Sequence, residues 1–174
     1  PLGMRASTME PSAVDAKVRA TGYGRRGTDE YFVIPSLAHG SFGAMGGMVT
    51  TAEDLSKWVA YLLSAFPPRD GAEAGPVRRA SLREMQRVQR TSDLLVERER
   101  PGLRANSGGY GFGLRISQDC KLEHIVGHGG GLPGFGSYML WLPEHGVGMF
   151  AMTNLTYQGP SQALSDAFDV LRGT

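Results

Sequence analysis

The apolar positions change their spacing along the chain, and each change predicts a different kind of element. Residues 1–49 are glycine-punctuated, with one apolar stretch, YFVI at 31–34, and a small-residue run, GSFGAMGG at 40–47. They predict irregular structure with short strands. Leu55, Trp58, Val59, Leu62 and Phe66 then recur at steps of three and four, which predicts a helix over 51–66 with one apolar stripe. Thr50-Thr51-Ala52-Glu53 has the form of a capping box at its start, and Pro67-Pro68 ends it.

From Gly108 the pattern becomes that of β structure. The runs at 109–116, 123–130, 135–142 and 147–154 are separated by turn residues, Pro143-Glu144-His145-Gly146 being the tightest, and predict a meander of antiparallel strands. Both alternate faces of the last two runs are apolar, with Met139 and Trp141 on one side and Tyr138, Leu140 and Leu142 on the other. Such strands need cover on both faces. Leu164, Ala167, Phe168 and Leu171 mark an amphipathic C-terminal helix opened by Pro160 or Ser161 and stopped by Gly173. The expected fold class is α+β, an antiparallel sheet flanked by helices.

Residues 69–104 break the pattern with nine arginines against six acids. A second capping box, Ser81 to Glu84, predicts a short helix to about Gln89. Arg79, Arg83 and Arg87 recur every four residues, as a phosphate-binding stripe or a solvated helix face would. The interleaved acids favour the solvated face. The whole chain agrees: 18 basic and 17 acidic side chains give a formal charge of +1, too weak a field to draw the domain onto nucleic acid or an anionic membrane. A small molecule is the expected ligand.

With 174 residues, 41% of them apolar, the chain can bury a core of its own. Its longest apolar runs, such as WVAYLL at 58–63, fall far short of the ~20 residues of a membrane helix. The first residues lack the pattern of a signal peptide. Cys120 is the single cysteine, which excludes an internal disulfide and any CxxC site.

Most catalytic motifs fail on inspection. GxSxG and GxxxxGK[ST] do not occur. Gly129, Gly131 and Gly134 satisfy GxGxxG by letter, but Pro133 lies inside the match and a strand follows where a dinucleotide site needs a helix. His124 and His128 lie ~13 Å apart along a strand, too far to share a metal ion. What remains is Gly127-His128-Gly129-Gly130-Gly131-Leu132-Pro133-Gly134. Consecutive glycines cost backbone entropy and offer nothing to a core, so something approaching the backbone closely is the usual reason to keep them. Exposed N–H groups there could hold an oxyanion beside an imidazole that relays protons. A tight bulged turn with an incidental histidine fits the spacing as well.

GHGGGLPGFGSYMLWLPEHGVGMFAMTN at 127–154 resembles the third-motif strand and following hairpin of the β-lactamase-related serine hydrolases, which include class C β-lactamases, D-alanyl-D-alanine peptidases and esterases. That strand carries K-T-G or H-x-G in the family, and His128, Gly129 and Gly130 stand at those positions. GGMVTTAEDLSKW at 46–58 resembles the family's glycine pair, threonine cap and Asp-Leu helix; YGFGLRI at 110–116 resembles its Y-G-x-G strand, and the opening PLGMRAST the segment after its second motif. The four matches fall in the family's order.

The family's nucleophile is the serine of S-x-x-K, activated by that lysine and by the tyrosine of Y-x-N. Neither motif occurs here. The resemblance therefore implies the C-terminal portion of one such domain, with the Arg-rich 69–104 as a variable insertion and the missing N-terminal half as its partner. Alone the chain is expected to be inert, because covalent catalysis needs the attacking group itself. The competing class is a non-catalytic member that binds a ligand or partner with the same groove. By position, Gly131 would donate an oxyanion-hole N–H, His128 would orient the leaving group or its proton network, and Gly129 and Gly130 would line the substrate site. Gly129 replaces a hydroxyl residue that binds the substrate carboxylate in β-lactamases, which favours ester or small amide substrates over β-lactams. The resemblance implies no metal and no cofactor, and many relatives are secreted or envelope-associated.

Overall fold

The computed structural model describes residues 1–37, 40, 43–73, 75–92, 95–99, 102–119 and 123–172. Cys120 and the proposed helix stop Gly173 lie outside the described residues. The fold is α+β. A seven-stranded sheet has the order β3 (Arg90–Thr91), β5 (Gly102–Tyr110), β6 (Arg115–Gln118), β7 (His124–Leu132), β8 (Phe135–Leu142) and β9 (Val147–Thr153), with β4 (Leu95–Glu99) paired to β5. A separate antiparallel hairpin joins β1 (Gly22–Arg26) and β2 (Glu30–Ile34), the latter holding the YFVI run. The chain divides into two compact units: Pro1–Leu2, Trp58–His128 and Leu140–Met149 form one, and Gly3–Lys57, Gly129–Met139 and Phe150–Thr174 the other.

In the first unit the core gathers around Trp141, Leu62, Leu82 and Val126, all essentially without solvent contact. Leu62 sits in helix α2 (Ala52–Leu63) and Leu82 in α3 (Arg79–Met85), after the single-turn α1 (Gly43–Gly46). A methyl group on Gly148 of β9 would lie 2.6 Å from Cγ1 of Val59, so glycine there is what lets α2 approach the strand closely. Trp141 and Leu142 are both buried although they point to opposite faces, as the two-sided apolar pattern requires. Gln86, fully buried just after α3, joins three elements. Its Nε2 donates to Leu62 O and Leu82 O, and its Oε1 accepts from Trp141 Nε1 at 2.8 Å.

Four local expectations need correction. The helix cap is Thr51 rather than Thr50: Thr51 Oγ1 accepts from Asp54 N at 3.2 Å, while Glu53 turns outward to Lys57. The helix stops at Leu63, not at 66, because the next turns tighten, Ala65 N bonding Leu62 O and Phe66 N bonding Leu63 O. The Ser81–Glu84 box does not form. Helix α3 begins two residues earlier, at Arg79, whose N–H donates to Glu73 Oε2 at 2.9 Å. Finally, 109–116 is not one strand but the end of β5, a tight turn with Gly113 at φ +72°, and the start of β6.

The arginine stripe divides: Arg87 is exposed and pairs with Glu84, as a solvated face would, whereas Arg79 and Arg83 turn to backbone carbonyls. Arg79 is buried, its guanidinium donating to Gly71 O and Ala72 O at 2.9 Å. Arg83 donates to Ala65 O, and Arg69 to Ser64 O and Phe66 O. The Ser64, Ala65 and Phe66 carbonyls lie just past the end of α2, where the negative end of the helix dipole favours cations. In the second unit α4 (Ser161–Arg172) buries Leu164 and Phe168, and Leu164 N bonds Pro160 O at its start. No described helix is long and apolar enough to cross a membrane.

Candidate active site

The glycine run folds as strand, turn and strand. β7 carries residues 124–132, and Gly134 makes the turn into β8 at φ +94°, its N–H donating to Thr156 Oγ1 at 2.8 Å. A strand follows the glycines, so nothing there resembles the helix N-terminus of a dinucleotide site.

The register of the hairpin before β7 fixes which way its backbone groups point. Gly111 N donates to Leu114 O, which makes Gly109 and Ile116 a hydrogen-bonded pair and leaves Tyr110 and Arg115 a non-bonded one. Arg115 and Ser117 therefore turn their N–H and C=O groups toward β7, opposite Gly127 and Ile125. By the same alternation Gly131 directs its N–H to that edge of β7. The pairing with β6 ends at Gly127, whereas β7 continues to Leu132.

Each residue of the H-G-G-G stretch has a definite neighbour. In the first unit half-buried His128 places Nε2 2.8 Å from the Tyr110 hydroxyl, with the two rings edge to face at 5.8 Å between centroids. His124 lies four residues away but serves another purpose, its Nε2 bonding Gln86 O at 2.8 Å. In the second unit a methyl on Gly129 would lie 3.1 Å from Cδ2 of Tyr138, one on Gly130 2.6 Å from Ser137 Oγ, and one on Gly131 2.5 Å from Cδ1 of Tyr157. The last two contacts are shorter than real side chains tolerate, so rings and hydroxyls crowd the backbone here. Tyr157 is exposed and has φ +51°, an uncommon conformation for a residue with a side chain.

The sequence pattern did not single out Tyr110, Ser137 or Tyr157. Tyr110 carried a signal, as the first letter of Y-G-x-G; the other two stand opposite the glycines only through the hairpin from β7 to β8 and the chain after β9.

The opening segment is held separately, in the second unit. Asp54, 2% exposed in the first turn of α2, accepts from Ala6 N at 2.8 Å, Ser7 Oγ at 2.9 Å and Lys57 Nζ at 3.0 Å. Burial pushes the carboxyl up, and the hydrogen bonds from Lys57, Ser7 and Ala6 outweigh it, holding Asp54 below its ordinary value. Lys57 is raised by its bonds to Glu53 and Asp54.

The H-G-G strand lies inside the antiparallel sheet of an α+β fold, the architecture of the β-lactamase-like proteins. The chain belongs to the Beta-lactamase family, whose model matches residues 1–173. It is similar in structure to the octameric penicillin-binding protein homologue from Pyrococcus abyssi, with a TM-score of 0.73 at 22% identity over 99% of this chain and 35% of that one. It is also similar to a D-stereospecific amidohydrolase from Streptomyces sp., with a TM-score of 0.60 at 22% identity over 96% of this chain and 44% of that one. The chain thus spans less than half of either relative. No curated protein matches it.

Proposed function

We propose that this chain is the C-terminal portion of a serine acyl hydrolase domain, with the Arg-rich 69–104 as an insertion, and that strand segment 128–131 is one wall of its active site. The observation that carries this is the direction of the Gly131 N–H, toward a stretch of β7 beyond the end of β6. A donor so placed, fixed by a strand and not by a mobile side chain, is what a developing oxyanion requires.

In this function a serine supplied by a segment N-terminal to Pro1 attacks an ester or amide carbonyl. The carbonyl oxygen takes up the negative charge, accepting from the serine's own N–H and from Gly131. Collapse of the tetrahedral species breaks the bond to the leaving group, which takes a proton from the site and departs. Water then adds to the acyl-serine and releases the acid. His128 orients the leaving group or its proton network, and Gly129 and Gly130 let the substrate lie against the strand. Gly129 offers no hydroxyl to a substrate carboxylate, which favours ester and small amide substrates over β-lactams.

The test is covalent labelling. A fluorophosphonate probe is expected to leave the 174-residue chain unmodified and to label, one to one, the S-x-x-K serine of a longer protein that carries the upstream segment. Stoichiometric labelling of a serine within 1–174, or none in a folded longer protein, would overturn the proposal; the latter is what a non-catalytic binding member gives.

A further inference from the structure

We infer that Tyr110 is a positioning residue for His128, donating its phenolic hydrogen to Nε2 and so fixing the imidazole as the Nδ1–H tautomer. The two atoms are 2.8 Å apart, and the edge-to-face contact of the rings restrains the imidazole from a second direction. The direction of the bond follows from the partners. A phenol is a good donor whose oxygen is a poor acceptor, and a neutral imidazole nitrogen is the strongest neutral acceptor among side chains; the hydrogen therefore stays on Tyr110.

The fold makes the pairing. Tyr110 is the last residue of β5 and Arg115 opens β6 opposite it, while Arg115 in turn stands opposite Gly127, next to His128. Register thus places residue 110 two strands from Gly127, the neighbour of His128, and the side-chain bond itself is the 2.8 Å contact. With the Tyr110 hydroxyl on Nε2, the hydrogen that neutral His128 can itself offer is on Nδ1, so the tautomer decides which ring edge is the donor. Its consequence for turnover rests on the acyl-transfer function proposed above, but the hydrogen bond can be measured without substrate.

The measurement is long-range 1H–15N correlation on the neutral imidazoles of the full chain in mildly alkaline buffer, in the wild type and in Tyr110→Phe, with His128→Gln to assign the signals. Tyr110→Phe keeps the ring and removes one exposed hydroxyl, so the fold is retained. The wild type is expected to show Nδ1 protonated and Nε2 bare, and Tyr110→Phe to raise the share of the Nε2–H form. A wild type already in the Nε2–H form, or a tautomer unmoved by Tyr110→Phe, would overturn the assignment. In the longer protein Tyr110→Phe should lower kcat and leave KM nearly unchanged; the expected tautomer shift in a protein that no probe acylates would sustain the Tyr110 assignment and overturn only the acyl-transfer function.

Discussion

A single carboxylate ties the opening residues to α2. Asp54 accepts from the Ala6 amide and the Ser7 hydroxyl, and Ser7 Oγ lies 2.7 Å from Thr50 Oγ1, so the Gly3–Thr8 segment is held by side chains at the helix start. The electrostatics give this contact a pH signature. Asp54 has a lowered value in the folded state, so its contribution is fully present above the unfolded value, about pH 4, and is lost as pH falls through the folded one. Lys57 is raised, so its contribution is present below the unfolded value and disappears only in strong alkali. The melting temperature of the wild type should therefore drop more steeply below about pH 4 than that of Asp54→Asn, whose tether is already weakened at pH 7. Parallel acid limbs in the two proteins would show that Asp54 carries no titrating contact.

At the scale of elements, Gln86 does for the first unit what Asp54 does for the second. Among the described residues it is the one fully buried polar side chain that bonds α2, α3 and β8 together. Gln86→Leu would keep most of the volume and strand the buried Trp141 N–H without its partner, while Leu62 O keeps its bond from Ala65 N. An unsatisfied buried group costs about 1–3 kcal/mol, so the substitution should destabilise by about that much in urea unfolding. A loss below ~1 kcal/mol would mean that the network is dispensable. None of this was visible in the pattern of the sequence, because the partners of Gln86 lie 24 and 55 residues away. The stripe of α2 was legible because its period is local, yet the adjacent threonines 50 and 51 fit a cap equally well by letter and only the observed bond chooses between them. Similarly, GYGFGLRI alternates well enough to look like a strand, and only the closing of Gly111 on Leu114 shows it to be a hairpin.

At the scale of the molecule, the antiparallel strands after Gly108 were legible from period and turn residues and the H-G-G strand from its motif, while β3, β4 and the partners that surround the glycines were not. Tyr157 meets Gly131 from beyond β9, and a contact over that distance leaves no periodic trace. The same contact supplies the control for the most direct test. Any side chain at 131 meets the Tyr157 ring, but alanine keeps the backbone N–H and proline removes it. In a longer protein bearing the S-x-x-K segment, kcat for p-nitrophenyl butyrate should be compared between Gly131→Ala and Gly131→Pro, after circular dichroism has shown both to be folded. If Gly131 holds the oxyanion, the proline variant falls about 10² to 10³ below the alanine variant; equal rates in the two would contradict the assignment of this strand as the active-site wall.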